Sequence, residues 1–215
     1  MKKEIGIKIC GLRLHDNIME VATAGPDYLG FIEYPASPRY VGENFSMPAS
    51  IPATIMKVGV FVNEADSVIL QKVKNHKYDF VQLHGNESPE QCLALKDQGL
   101  KVIKVFSIDD RFDFQATKSY VTLADYFLFD TKGKLYGGNA QAFNWTVLRH
   151  YDQEVPFFLS GGLSIDNISA IGELKHMNLH ALDLNSGVEI SPGLKDVSKI
   201  SSLISLIRNN DLNSR

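Results

Sequence analysis

Pro156–Leu163, PFFLSGGL, and Ala181–Glu189, ALDLNSGVE, are two versions of one device, a short apolar run that stops abruptly in small and polar residues. The first run ends in Ser160-Gly161-Gly162 and the second in Asn185-Ser186-Gly187. This is the pattern of a buried strand opening into a tight loop. Taken alone, each loop also reads as a plain turn. Glycine lets a backbone take positive φ and come close to a ligand, so successive N–H groups can turn toward an anion. Two such loops side by side would make a phosphate cup.

Working outward from these runs, the chain alternates strand and helix signals eight times. The expected strands are Glu4–Cys10, Tyr28–Glu33, Lys57–Val62, Asp79–His84, Lys101–Phe106, Asp125–Asp130, Val155–Ser160 and Leu179–Leu184. Helical spacing places Ile18, Val21 and Ala22 on one face, and Ala65–Asn75 has its own apolar face. Ser88-Pro89-Glu90-Gln91 reads as a capped helix start, with Gly99 as its stop. Further helices are expected at Ala49–Ala53, within 108–123 and from Trp145. Ser164 is expected to cap a helix carrying Ile165, Ile168, Ile171 and Leu174. A last helix carries Val197, Ile200, Leu203, Ile204 and Ile207 on one stripe.

Apolar runs joined by helices predict parallel strands covered on both faces. A doubly wound open sheet is the rival architecture. The count of eight, and the absence of a GxGxxG after the first strand, favour an α/β fold of the (β/α)8 TIM-barrel type spanning 1–215 as one domain. The glycine loops then close the seventh and eighth strands, where such barrels commonly bind phosphate.

Composition narrows the function classes. With 22 basic and 25 acidic residues the net charge is −3, and no basic tract or stripe appears, so nucleic acid is an unexpected partner. Glu4, Lys8 and Arg13 interrupt what would have to be an apolar signal region. No stretch approaches the ~18 apolar residues of a membrane span. Cys10 and Cys92 are the only cysteines, without CxxC or metal-like Cys/His spacing, so a protein of the reducing cytoplasm with no metal site of that kind is expected.

Cys10, Glu33, Asn63, His84, Asp130, Ser160 and Asp183 all stand at or near the end of an apolar run, and in a barrel those ends converge on one mouth. Alone, Cys10 reads first as a small core hydrophobe, and Asp130 reads equally as a cap of the following loop. Together, a thiol and a carboxyl can divide the work of removing and donating a proton.

KICGLR at 8–13, GFIEYPASPRYV at 30–41, KVGVFVN at 57–63, VQLHGNE at 81–87, LFDT at 128–131, GG at 137–138, LSGGLS at 159–164 and LNSGVEISPGLKD at 184–196 resemble the phosphoribosylanthranilate isomerase family, in order and nearly end to end. The resemblance implies a cofactor-free Amadori rearrangement of N-(5-phosphoribosyl)anthranilate in tryptophan biosynthesis. It further implies Cys10 as general base, Asp130 as general acid and Arg39 as the partner of the anthranilate carboxylate. His84 and Asp183 fall on substrate-binding positions, and Gly161, Gly162, Ser186 and Gly187 on phosphate-binding ones. The expected partner is a small phosphosugar, and the expected assembly is a monomer or a homodimer.

The chain departs from the family pattern at Gly11-Leu12-Arg13-Leu14, which lacks the usual threonine, at Glu33, and at Gly138-Asn139-Ala140-Gln141 in the sixth loop. The nearest rival is the related sugar-phosphate isomerase of histidine biosynthesis, in which a carboxylate is expected where Cys10 stands. A silent phosphate-binding protein that kept the cup is a rival of another class.

Overall fold

The computed structural model describes residues 5–131, 145–174 and 176–209. Eight parallel strands close into one barrel in chain order: β1 Gly6–Ile9, β2 Tyr28–Ile32, β3 Met56–Phe61, β4 Phe80–Leu83, β5 Lys101–Ile108, β6 Tyr126–Thr131, β7 Phe157–Ser160 and β8 Leu179–Leu184. The seam pairs β1 with β8, Lys8 opposite Asp183 and Ile9 opposite Leu184. Among the described residues the α-helices are α1 His15–Thr23, α2 Asp66–His76, α3 Pro89–Asp97 and α4 Val197–Asn209. A small antiparallel hairpin, β9 Glu189–Ser191 and β10 Leu194–Lys195, follows β8. The expected sixth loop lies, apart from Thr131, at 132–144, outside the described residues.

An apolar stripe marks α4, and punctuation marks α3. In α4, Ile200, Leu203, Ile204 and Ile207 are buried against the barrel. In α3, Ser88 Oγ accepts from the Gln91 N–H at 3.3 Å and Pro89 fills the first turn, where its missing N–H costs nothing. Ala49–Ala53 is not a helix but a run of turns, because Pro52 removes a donor and its ring clashes with the preceding turn. After β5, β6 and β7 the coverings are 3-10 helices, Phe114–Tyr120, Trp145–His150 and Ile168–Leu174.

The last of these starts later than Ser164 predicts, and Ile165 is 52% exposed instead of packed. Asn167 explains the delay. Its Oδ1 accepts from the Ser164 N–H at 2.9 Å and its Nδ2 donates to the Gly162 carbonyl at 2.8 Å. Such local bonds offer the backbone an alternative to a helical turn.

Side chains alternate across each strand, so one parity faces the barrel axis and the other the helices. Tyr28, Val58, Phe80, Ile103, Val105, Leu128, Phe158 and Ala181 fill the interior, while the opposite parity builds the larger outer core. Continuing the inward parity toward the strand ends reaches Cys10, Gln82, His84, Asp130, Ser160 and Asp183.

At the opposite end, the floor is closed by a repeated device that the sequence reading did not isolate. Asp27, Asp79 and Asp125 each precede an even-numbered strand. Their carboxylates accept from the backbone N–H of Ile7, Lys57 and Val102 at 2.8 Å in every case. Each aspartate N–H donates back to the carbonyl of that same residue, at 2.9, 2.8 and 2.9 Å. In the fourth strand pair Asn178 takes the place, and its backbone carbonyl accepts from the Phe157 N–H at 3.1 Å.

Asp125→Ala leaves the Val102 N–H without this acceptor. It should therefore cost about 1–3 kcal/mol in denaturant unfolding, with Asp125→Asn costing less because its amide oxygen still accepts. Equal stability of Asp125→Ala and wild type would show that the clamp does no more than orient the loop.

Candidate active site

A cavity of about 260 Å3 opens at the carboxyl ends of the strands. It is lined by Cys10, Gln82, His84, Asp130, Ser160, Asp183, Asn185 and both glycine turns. A larger cleft, about 890 Å3, lies outside the barrel beside α2, and none of those residues lines it. Convergent acids, bases and backbone turns make the smaller cavity the candidate site.

Glycines admit the groups that matter. A Cβ at Gly30 would stand 2.7 Å from Cys10 Sγ, so β2 must carry glycine beside the thiol. Gly11 turns the chain at φ +80°, and a Cβ there would stand 2.8 Å from both Arg39 Cδ and Asn185 Oδ1. Gly161 and Gly162 take φ values of +100° and +63°. A Cβ at Gly187 would run into the Leu163 carbonyl oxygen, so the two glycine turns pack directly against each other.

Beneath the thiol, Lys8 is wholly buried. Its Nζ donates to Asp183 Oδ1 at 2.8 Å, and its charge acts on Cys10, two residues on at the next inward position of the chain. Burial penalises both charges of this pair, yet Asp183 and Cys10 hold the Lys8 ammonium above its ordinary value. Burial pushes the Cys10 thiol up, with the Lys8 charge opposing it. Across the mouth, Gln82 Nε2 stands 2.9 Å from His84 Nδ1, and His84 Nε2 stands 3.6 Å from Asp130 Oδ2. With Gln82 as donor, the imidazole proton sits on Nε2 and faces the Asp130 carboxylate.

Arg39 is absent from the cavity wall and stands at its rim. Its Nε reaches Glu189 Oε1 at 2.9 Å and its Nη2 reaches Oε2 at 2.7 Å, a two-pronged carboxylate bond. Glu189 Oε1 also accepts from Lys195 Nζ at 2.7 Å, and Lys195 reaches Asn185 Oδ1 at 2.8 Å. Burial alone would push Glu189 up, but these cations leave its carboxyl below the usual value, while burial lowers Lys195. Two cations around one carboxylate leave the rim positive.

Two of the strand-end residues lie elsewhere. Glu33 has the outward parity of β2 and is buried under α2, accepting from Tyr78 Oη at 2.6 Å with Lys72 Nζ at 3.2 Å. Asn63, at φ +51°, turns toward the next loop, where its Oδ1 accepts from the Asn86 N–H at 2.7 Å. Lys8, Gln82, Glu189 and Lys195 were not anticipated. Lys8 and Gln82 signal themselves as polar residues at inward positions of apolar strands, and Pro192-Gly193 marks the hairpin that carries the other two.

A family model described as N-(5'phosphoribosyl)anthranilate (PRA) isomerase matches residues 7–205. The chain belongs to this isomerase family. A family member from Phocaeicola vulgatus, named N-(5'-phosphoribosyl)anthranilate isomerase, is 44% identical over 202 residues, covering 94% of this chain and 97% of its own. The phosphoribosyl anthranilate isomerase of Thermotoga maritima superposes with a TM-score of 0.82 at 30% identity, covering 95% and 99% of the two chains. Another solved family structure, held in complex with reduced 1-(o-carboxyphenylamino)-1-deoxyribulose 5-phosphate, gives a TM-score of 0.78 at 28% identity, with 95% and 99% covered. Membership makes this chain an enzyme of the isomerase class. Among its described residues no helix is long and apolar enough to cross a membrane, and no group of three or more His, Cys, Asp or Glu could hold a metal ion.

Proposed function

We propose that the protein converts N-(5-phosphoribosyl)anthranilate into 1-(2-carboxyphenylamino)-1-deoxyribulose 5-phosphate, an Amadori rearrangement in tryptophan biosynthesis. The observation that carries this reading is that Cys10 and Asp130, from strands β1 and β6, line one cavity with both glycine turns. Asp130 donates a proton to the ribose ring oxygen as the bond from that oxygen to C1 breaks, and the anthranilate nitrogen lone pair forms the C1 imine. Cys10, as thiolate, removes the proton from C2, and the electron pair moves toward the iminium to give an enol amine. Return of a proton to C1 and loss of the enol proton leave the ketone. No external oxidant or cofactor is needed, because C1 is reduced as C2 is oxidised within one molecule.

Gly161, Gly162, Ser186 and Gly187 serve the phosphate through backbone N–H groups, with no side chain at Gly161 or Gly162 to stand before the ligand and with Gly187 letting the second turn pack against the first. His84 keeps Asp130 in place and Asp183 supports the wall beside the base. Growth of a tryptophan-requiring strain lacking this isomerase, followed by assay of the purified protein, tests the reading. Failure of the purified protein to turn over the substrate rejects it.

Arg39 is assigned to the anthranilate carboxylate. Glu189 holds it by Nε and Nη2, so Nη1 is the part of the fork outside that pair. Arg39→Ala should raise KM by about 10–10²-fold, the worth of a charged hydrogen bond, with a smaller effect on kcat. A substrate analogue without the aromatic carboxylate should be handled about equally badly by both proteins. An equal penalty on both substrates would make Arg39 a structural tie between the loops after β2 and β8.

A further inference from the structure

Lys8 is the charge that the proposed proton transfers leave unused. On β1 the inward positions run Gly6, Lys8, Cys10, so the ammonium lies one inward layer beneath the thiol. Its partner Asp183 is its direct neighbour across the β1–β8 seam, and both side chains are almost entirely withdrawn from water, at 0% and 4% exposure. A buried ion pair is poor evidence for stability, because desolvation offsets the attraction and apolar residues can fill the same space. Its location therefore requires another reason.

We propose that Lys8 is a positioning residue for the base: its ammonium, anchored by Asp183, is the charge against which the Cys10 thiolate forms. The inference rests on Cys10 acting as base. With the thiol protonated, Lys8, Asp183 and Cys10 sum to zero charge. With the thiolate formed, they carry one negative charge in a buried site, and that anion needs a cation at contact range. Burial and Asp183 both oppose ionisation of Cys10, and Lys8 is the strongest influence in its favour. The other groups facing this space act on the thiol more weakly. Lys195 on β10 favours the thiolate, Arg39 at the rim feels its charge, and His84 and Asp130 act across the cavity on Asp183. Asp183 thus has the task of keeping the ammonium charged and aimed, in addition to walling the cavity.

The test reads thiol ionisation directly, in a Cys92→Ala background that leaves Cys10 as the only thiol. Methyl methanethiosulfonate reacts with the thiolate, forming a methyl disulfide and releasing methanesulfinate, so its rate against pH gives the ionisation midpoint. Lys8→Met, similar in length but uncharged, should raise that midpoint by about one pH unit or more. It should also lower kcat at neutral pH about tenfold or more, with the loss shrinking as pH rises and KM little changed. Lys8→Met/Asp183→Asn removes the carboxylate left unpaired and should fold where the single variant does not. Its midpoint should also rise, by less, because an opposing charge has gone with the ammonium. A folded variant of either kind whose midpoint stays at the parent value overturns the proposal. Wild-type turnover in Cys10→Ala would instead remove the base assignment, while the reactivity midpoint would still report the Lys8–Cys10 coupling.

Discussion

Cys10→Ala should leave the barrel folded and its affinity for inorganic phosphate unchanged, while turnover falls by about 10²–10⁴-fold, the usual contribution of a general base. The change removes one sulfur atom from the cavity wall, beside Gly30, and it leaves the glycine turns of β7 and β8 untouched. Cys10→Ser should recover little, since a hydroxyl is a far weaker acid than a thiol with its ordinary pKa of about 8.5. Because burial holds the thiol above its ordinary value, the thiolate fraction of free wild-type enzyme climbs with pH. The limb of kcat/KM that depends on the base should accordingly rise toward alkaline pH, and the corresponding limb should vanish in Cys10→Ala. Near wild-type turnover, or an unchanged alkaline rise, would end the assignment.

Asp130→Asn should be comparably severe, but at a different step. The amide keeps the shape and the neighbourhood of His84 Nε2, 3.6 Å away in the wild type, yet has no proton of carboxylic acidity to give the ring oxygen. Ring opening becomes the blocked step, with a loss of about 10²–10⁴-fold. The wild-type kcat/KM profile should be bell-shaped, one limb requiring the base ionised and the other the acid protonated. In Asp130→Asn the limb that reports the acid should disappear. Substrate trapped in the open-chain imine form separates the roles: it should restore part of the rate to Asp130→Asn and none to Cys10→Ala. Equal responses of the two variants would reject this division of labour, even for a working isomerase.

Much of this was legible because parallel barrel strands are covered on both faces and read as apolar runs. The strand boundaries expected from those runs fall within about two residues of the observed ones, from Leu179–Leu184, which coincides, to Val155–Ser160, which begins at Phe157. The helix layer was less readable. A stripe as regular as that of α4 announces itself, whereas Asn167, through two local bonds, and Pro52, through a lost donor and a clash, outweigh apolar spacing.

The site shows the same division. Cys10, His84, Asp130 and Asp183 reach the cavity because they share the inward parity of their strands. Glu33 sits one residue past Ile32, which lines the cavity, so it must point the other way. Counting parity from Tyr28 would have sent it to the helix layer. Lys8 is the converse: its inward place in an apolar strand marks it as out of pattern, and only the seam to Asp183 reveals why a charge belongs there.

The aspartates beneath the strands separate mutational risk along the barrel axis. Asp27, Asp79 and Asp125 join the starts of neighbouring strands, a full strand length away from Cys10 and Asp130. Exchanging a mouth residue changes chemistry and leaves those joints intact. Losing a joint weakens the scaffold for every chemistry the mouth could host. A lineage can therefore test new side chains at the strand ends without renegotiating how the chain is held together, provided the joints below are kept. Buried charges such as Lys8 are the expensive kind of side chain to test, and a scaffold fastened at its far end is one in which such experiments remain folded long enough to be selected.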